Sequence, residues 1–360
     1  MKTAVLGSGN GGCAVAFDFA SQGHEVSLVD FETFAANIEA VAANGGVQSE
    51  GDLEGFASIA YSGHDFERAL AGAELIVVVG PAYSTEPFGD ACRPFLAPGQ
   101  TIIICPGSCG GALAFKRAAG LDLRDSSIVV GDTGTLPYAV RVVSPGHITV
   151  YLKLRGGVTL ATIPASRTIE VATLLAGVYP ELTPVVSVLF TALSNANPVI
   201  HPAVTIGNAA QIERTGGELL FYEEGTTPCV ARLMEAVDQE RRALGARLGF
   251  SIPSDPEMCV RQGYMSQASY YPGYMQAPGF KGIKAQSQID HRYLNEDVGF
   301  GLVFYRSLGR QLGVPTPVVE AVIGVASAMA GRDYLAEGRR TMESLGLAGF
   351  SASQLVDLLA

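Results

Sequence analysis

The chain has 360 residues, 48% hydrophobic and 16% charged, with 24 basic against 35 acidic side chains. That length supplies core enough for two domains. The acidic balance, with no Lys/Arg-rich block, argues against a nucleic-acid or anionic-membrane surface, since both need clustered positive charge. No apolar run reaches the roughly 18 residues of a transmembrane helix. The apolar stretch after Lys2 stops at Leu6, too short for an export signal, so a cytoplasmic protein is expected. The six cysteines, at positions 13, 92, 105, 109, 229 and 259, form no C-x-x-C pair and no zinc-spaced cluster with histidine. Reduced, mostly buried thiols and no structural metal are expected.

In chain order, the first half alternates short β-branched runs with helical patterns. Strands are predicted at 3–6, 25–30, 74–79, 101–105 and 127–130, with amphipathic helices at 13–22, 32–43 and 85–96 between them. Several of the strands are apolar on both faces, as in a parallel sheet covered by helices, so the alternation predicts a doubly wound sheet. Two further strands, 147–154 and 158–163, are expected to form a hairpin through Arg155, Gly156 and Gly157. Past residue 188 the strand signal fades, and helices are predicted at 228–248, 298–312, 315–329 and 352–359. Pro315 or Pro317 suits a first helical turn, and Gly249 and Gly313 sit where helices stop. The stretch 264–280, rich in Tyr, Met, Gln, Gly and Pro, reads as an irregular loop. The expected architecture is a Rossmann-type α/β domain over residues 1–185, followed by an all-helical domain over 186–360.

GSGNGG at 7–12 fits G-x-G-x-x-G, a weak pattern alone. Here it follows a predicted strand, opens a predicted helix and is answered by Asp30 at the end of the next strand. Gly7 permits the tight turn, Gly9 lets backbone approach a pyrophosphate and Gly12 allows close helix–strand contact. Asn10 and Gly11 stand with them at the helix start, whose unpaired N–H groups suit phosphate. Asp30 accepts ribose hydroxyls and repels a 2′-phosphate, and no arginine neighbours it, so NAD is favoured over NADP. Gly110 and Gly111 in the PGSCGGA segment, and Pro81 after the third strand, are candidates for further dinucleotide contacts. A turn needing glycine for its shape alone explains the same residues.

Hydride transfer to a carbonyl or imine needs a proton donor, and usually a cation for the substrate carboxylate. The lysines, at 2, 116, 153, 281 and 284, leave the first helices of the second domain without an amine. LSNANPVIHP stands there instead. A helix through it places Asn197 and His201 on one face; alternatively Asn197 caps a helix with Pro198 in its first turn. His201, flanked by apolar residues, is open to two readings, a satisfied core histidine or a general acid–base. His291 is its rival, in DHRYLNEDV. In that cluster Asn295, Glu296 and Asp297 can be helix caps. Alternatively Asp297 orients the histidine while Arg292 forks onto a carboxylate.

With GSGNGG, PGSCGGA, NxNPxxHP and RYLNEDV together, the chain resembles the opine dehydrogenase family, which includes octopine, nopaline and N-(1-carboxyethyl)amino-acid dehydrogenases. The resemblance runs nearly end to end. It implies a Rossmann domain followed by an all-helical domain, with the active site in the cleft between them. It also implies coupling of an L-amino acid amine to a 2-oxo acid, usually pyruvate, and reduction of the imine with NAD(P)H. By the resemblance His201 falls on the catalytic histidine, Asp297 on its partner aspartate and Arg292 on the arginine that binds the 2-oxo acid carboxylate. Asn197, one turn before the histidine, is then placed to touch nicotinamide or substrate. Thr133, Thr135 and Tyr138, and Tyr270, Tyr271 and Met275 in the 264–280 loop, are candidate selectors of the amino acid, with ordinary loop packing the competing reading. The expected partners are small molecules, an amino acid and a 2-oxo acid, and a homodimer is compatible with the sequence. Two other classes stay open at this point: a hydroxyacid or polyol dehydrogenase on the same plan, and a non-catalytic NAD sensor.

Overall fold

Strands that are apolar on both faces need cover on both faces, and this requirement organises the first part of the chain. The computed structural model describes residues 1–360. They divide into one unit of Met1–Ala192 with Leu358–Ala360 and a second of Leu193–Asp357. The strands of the first unit are β1 (Lys2–Leu6), β2 (Glu25–Val29), β3 (Gly46–Gly51), β4 (Gly55–Ser58), β5 (Tyr61–Gly63), β6 (Leu75–Val78), β7 (Thr101–Ile104), β8 (Val129–Thr133), β9 (Tyr138–Ser144), β10 (His147–Lys153), β11 (Val158–Ile163) and β12 (Leu182–Pro184). Eight of them form a sheet in the order β12-β11-β8-β7-β6-β1-β2-β5. Its pairings are parallel except β8 with β11. From β1 the chain goes first to β2 and β5 on one side and then to β6, β7 and β8 on the other. The topological switch therefore lies at the carboxyl ends of β1 and β6, where such sheets bind ligands.

The expected hairpin of 147–154 with 158–163 does not form. β10 pairs with β3 and β9 in a separate four-stranded sheet of order β4-β3-β10-β9, whereas β11 pairs with β8 and β12. Burial explains the parting. Every residue of β11 is buried, as a strand inside the main sheet must be, while β10 has its buried positions at Ile148 and Val150 and exposes Tyr151. Strands β3, β4, β5, β9 and β12 go beyond the sequence expectation; they are short, or carry glycine or a charged residue within the run.

Helix α1 (Asn10–Ser21) follows the glycine motif and packs on β1 and β2 of one sheet and on β3, β4 and β9 of the other. A helix covered on two sides needs no polar face, and Gly12 through Phe19 are all buried. Even Asp18 is fully buried. Its Oδ2 accepts the Tyr138 hydroxyl at 2.6 Å and lies 2.6 Å from the Lys153 ammonium, and Tyr138 also meets Tyr179 at 2.9 Å.

The second unit is helical apart from an isolated bridge between Leu220 and Lys284. Its framework helices are Asn197–Gly207, Pro228–Arg247, Val303–Leu312 and Pro317–Ala330, with Thr227 capping the second and Pro317 opening the last. The 264–280 stretch contains no regular element before a short 3-10 turn at Pro278–Phe280. Arg241, almost fully buried, ties the unit together. It donates to Asp238 at 2.6 Å, to the Pro253 carbonyl at 2.8 Å and to the Leu193 carbonyl. No helix of the chain is long and apolar enough to cross a membrane.

Candidate active site

In the first unit the glycine motif sits at the switch point, and its glycines have separate reasons to be there. Gly7 has φ +106°, and a Cβ on it would lie 2.1 Å from the Val79 carbonyl oxygen; one on Gly12 would lie 1.7 Å from the Gly7 carbonyl oxygen. Gly11 faces Val79 and Leu136, 2.9 and 3.1 Å from where its Cβ would be. Gly9 differs: a Cβ there meets nothing within 4 Å, so the space above it is open. Gly9 is also the N-cap of α1 and caps with no side chain, leaving the first-turn N–H groups facing outward as an anion site requires. Asn10 contributes there through its backbone, because its Oδ1 accepts the Val142 N–H of β9 at 2.7 Å.

Asp30 is buried at the end of β2. Its Oδ2 accepts the Ser8 N–H at 2.6 Å and the Ser8 hydroxyl at 2.8 Å, and its Oδ1 accepts the Phe31 N–H at 2.8 Å. A carboxylate has about four acceptor positions, so roughly one remains for a ribose hydroxyl rather than the pair the sequence suggests. Ser8 carries no signal of its own in the sequence, since the intervening positions of G-x-G have no residue preference. Beside Asp30, Phe31 stacks on Phe88 at 4.9 Å with Phe66 against both, an apolar shelf no motif announces. The open space at Gly9, the free helix start and the remaining acceptor on Asp30 fit a dinucleotide.

Of the other cofactor candidates, Pro81 caps a 3-10 turn whose Ser84 hydroxyl returns to the Pro81 carbonyl at 2.8 Å. Gly110, at φ +95°, is the N-cap of helix Gly111–Ala118. The turn before it holds Ser108 and Cys109 at φ 40° and 62°, left-handed values that non-glycine residues seldom adopt. Asp132, fully buried on β8, braces this turn by accepting the Ala112 N–H at 3.1 Å. Thr133 is buried, with its hydroxyl donated to the Thr135 carbonyl at 2.9 Å; Thr135 is partly buried. Both threonines belong to the first unit. Tyr138 is committed to Asp18 and Tyr179, which removes it from the selectors.

In the second unit His201 is 4% exposed and lies in helix Asn197–Gly207. Ala196 is the N-cap, so Asn197 is the first helical residue; it is exposed, one turn ahead of the histidine. His201 Nδ1 lies 2.7 Å from Asp297 Oδ2, and Nε2 lies 3.3 Å from the Tyr222 hydroxyl. Its ring stacks on Tyr293 at 3.9 Å and 21°, and Phe221 approaches edge-on at 5.9 Å. A buried carboxylate at Nδ1 accepts the ring proton there, which makes Nε2 the nitrogen available for chemistry.

Asp297 opens a π-helical stretch, Asp297–Leu302, between the short helix Arg292–Asn295 and Val303–Leu312. Gly301 N–H reaches back five residues to the Glu296 carbonyl at 3.2 Å. π-turns often mark functional sites, and this one packs on the histidine helix. The contact depends on Gly301, where a Cβ would lie 2.3 Å from Pro198 Cγ. The sequence pattern alone predicts one continuous helix here.

The Arg292 side chain is half exposed, 3.6 Å from Glu296 and 5.7 Å from the Tyr293 ring centre. Partial burial works against its charge, but Glu296 and Asp297 outweigh this and raise its pKa. His291 turns its ring edge-on to Tyr293 and accepts the Tyr293 N–H. Burial first, then Arg292 and His201, lower its pKa. The structure thus brings together His201, Asp297 and Arg292, and adds Tyr222, Tyr293 and Phe221. Tyr293 lies within the RYLNEDV string but drew no role there, and Tyr222 and Phe221 are aromatic residues in an ordinary stretch, without local signal in the sequence.

Comparison with known proteins bears on the family and the fold. A family model described as the NAD/NADP octopine/nopaline dehydrogenase alpha-helical domain matches residues 184–330. One described as the NAD-dependent glycerol-3-phosphate dehydrogenase N-terminus matches residues 2–109. The chain is 34% identical over 354 residues to an opine dehydrogenase of Arthrobacter sp. (strain 1C), covering 97% of this chain and 96% of the relative. It is 28% identical to the ocs protein of Agrobacterium tumefaciens (strain Ach5), with 99% of each chain covered. Among solved structures, octopine dehydrogenase with NADH and L-arginine superposes with a TM-score of 0.79 at 19% identity, covering 99% of this chain and 96% of the other. Octopine dehydrogenase with NADH and pyruvate gives 0.75 at 19% identity, covering 97% and 98%. These two likenesses speak for the fold.

Proposed function

Because the chain belongs to the opine dehydrogenase family, and is accordingly an NAD(P)-dependent oxidoreductase of secondary-amine (CH–NH) substrates, we propose that His201, Asp297 and Arg292 carry out its chemistry. The reaction is reductive condensation of an L-amino acid with a 2-oxo acid, pyruvate first among them, and the reverse oxidation. The observation that carries the assignment is the buried His201 Nδ1···Asp297 contact at 2.7 Å, which leaves Nε2 as the proton-transferring atom. Pyruvate and L-arginine accompany NADH in the octopine dehydrogenase structures to which this fold is similar.

Glycines 7, 9, 11 and 12, the backbone of Asn10, and Asp30 would hold the dinucleotide, with Pro81, Gly110 and Gly111 as further contacts. When bound, NADH supplies the hydride that reduces the imine carbon. The acidic site at Asp30 disfavours a 2′-phosphate and supports NAD over NADP.

Arg292 offers a planar fork to the 2-oxo acid carboxylate, which takes over the weak partnership now held by Glu296. In the oxidative direction His201 Nε2 takes the proton of the secondary ammonium, freeing the nitrogen lone pair for C=N formation. Asp297 fixes the tautomer and stabilises the imidazolium that results. In the reductive direction the same proton is returned. Asn197 stands one turn from the histidine as an exposed amide for substrate or nicotinamide. Thr133 and Thr135 remain candidates for the amino-acid side, through Thr135 more than through the committed hydroxyl of Thr133.

The test is His201→Ala assayed with NADH, pyruvate and each standard amino acid in turn. A loss of about 10²–10⁴ in kcat is expected, the usual size of general acid–base effects. Full activity with an unchanged pH profile would remove His201 from the mechanism. Oxidation of NADH by pyruvate with no amine present would remove the condensation.

A further inference from the structure

Tyr222 has no part in the scheme above, yet its hydroxyl meets the reacting nitrogen of His201. With Nδ1–H donated to Asp297, Nε2 of the neutral ring carries only a lone pair. The 3.3 Å contact to Tyr222 therefore runs from the phenol O–H to Nε2. Nε2 is the acceptor the structure gives to this hydroxyl, whose residue is 6% exposed.

The phenol ring is tightly held. Phe280 stacks on it at 4.2 Å and 15°, Tyr274 lies parallel at 6.3 Å, and Phe221 meets it edge-on at 5.0 Å. Phe280 in turn stacks on Tyr264 at 5.0 Å, so the irregular 264–280 stretch forms the backing of this residue. Burial first, and then neighbouring Tyr293, push the phenol well above its ordinary pKa, which keeps the proton on oxygen. Around the imidazole, the titratable and charged groups come from three segments. Glu296 and Asp297 lie at the start of the π-stretch, His291, Arg292 and Tyr293 lie in and just before the short helix, and Tyr222 comes from the turn after Leu219. Behind Tyr222 stand Cys259, Tyr264 and Asp255.

Resting on the assignment of His201 as the proton-transferring base, we propose that Tyr222 is its second positioning residue. Its hydroxyl holds Nε2 opposite the Asp297 clamp and sets the pH at which the base becomes available. The sign follows from the acceptor. When His201 takes a proton, Nε2 no longer accepts, and the buried phenol O–H loses the acceptor it has. Tyr222 therefore favours the neutral ring, and its removal makes His201 harder to deprotonate.

Tyr222→Phe keeps the aromatic stack and deletes the hydroxyl. In the oxidative direction, where activity rises with pH as His201 becomes neutral, the midpoint of kcat/KM should move up by about half to one pH unit, the worth of one hydrogen bond. In the reductive direction the alkaline decline should move up by the same amount. A fall in rate with an unmoved midpoint in both directions would overturn the proposal, since a merely structural role lowers amplitude without shifting the midpoint. His201→Ala is the control. If the pH limb persists in that variant, the assignment of His201 itself fails; if the limb vanishes there but does not move in Tyr222→Phe, the role of Tyr222 alone fails. A second measurement uses the unaltered enzyme. Nitrogen-15 NMR of His201 should show protonated Nδ1 and a lone-pair Nε2 in the neutral ring, and an Nε2–H tautomer would overturn the proposal without any variant.

Discussion

At the scale of single residues, two glycines of one motif answer to different forces. A methyl group on Gly12 would sit 1.7 Å from a backbone carbonyl oxygen, whereas one on Gly9 would touch nothing in the protein. Gly12→Ala should therefore destabilise the first unit by about 1–3 kcal/mol or more, as overpacking does, and lower its melting temperature without any cofactor present. Gly9→Ala should melt like the parent and lose NADH affinity by about tenfold or more, about 1.4 kcal/mol, because the methyl enters the space of the pyrophosphate. Calorimetric titration with NADH separates the two. The motif announces both glycines and the kind of duty each has; what the fold adds is that Gly12 is closed off by the Gly7 carbonyl while the space over Gly9 is open. His201, Arg292 and Asp297 stood out in the sequence through two uncommon strings and the resemblance those strings carry, and the fold brings His201 and Asp297 into contact. Tyr222 and Ser8 were not, because a hydroxyl's role is set by what lies opposite it across the fold.

At the scale of elements, the π-helical stretch carries the most consequence. Residues 297–302 are nearly all apolar or glycine, and six residues are too few for a hydrophobic period to separate a wide turn from an ordinary one. In sequence the stretch therefore looks like part of the helix that follows. Its wider turn presents Asp297 to His201, and its approach to the histidine helix rests on Gly301 against Pro198. Gly301→Ala should push the stretch off Pro198 and carry Asp297 with it. A misplacement of about 1 Å in a catalytic group can cost on the order of 100-fold, so kcat should fall by about 10–100-fold. NADH affinity should stay unchanged, and steady-state kinetics beside a cofactor titration check both halves. The hairpin that does not form has a related cause. β10 and β11 are neighbours in sequence and comparable in composition, and their assignment to different sheets depends on which faces are already covered.

At the scale of the whole molecule, the order of the domains and the all-helical character of the second were readable from periodicity, because those signals add up over many residues. The second sheet was not, since β3 and β4 mix glycine and polar residues into their runs, β9 is interrupted by Arg141, and β10, though expected as a strand, finds its partner β3 far away in sequence. On the proposed assignment the two units divide the work by chemistry, the cofactor candidates lying in the first and His201 with Asp297 in the second. The second unit also holds a carboxyl whose protonation bears on its stability. Burial first, and then Asp238, hold the carboxyl of Asp255 well above its usual pKa. The folded state thus retains a proton that the unfolded chain releases above about pH 4. Folding is then favoured less as pH rises from that point toward the folded pKa. The melting temperature of the second unit should decline between about pH 5 and 8, and Asp255→Asn, neutral throughout, should flatten that decline.

The buried carboxylate of Asp18 ties this division of labour to mechanics. It sits two turns beyond the glycine motif on the same helix, gripped by Tyr138 from β9 and Lys153 from β10. The helix whose start is proposed to face the phosphates is thereby braced by a sheet it does not belong to, and that brace does not depend on a bound dinucleotide. Replacing Lys153 with a neutral side chain would leave every cofactor-facing atom in place and yet loosen the frame behind them. The weakening of NADH binding would then register as entropy of ordering, while each group that touches the cofactor keeps its position.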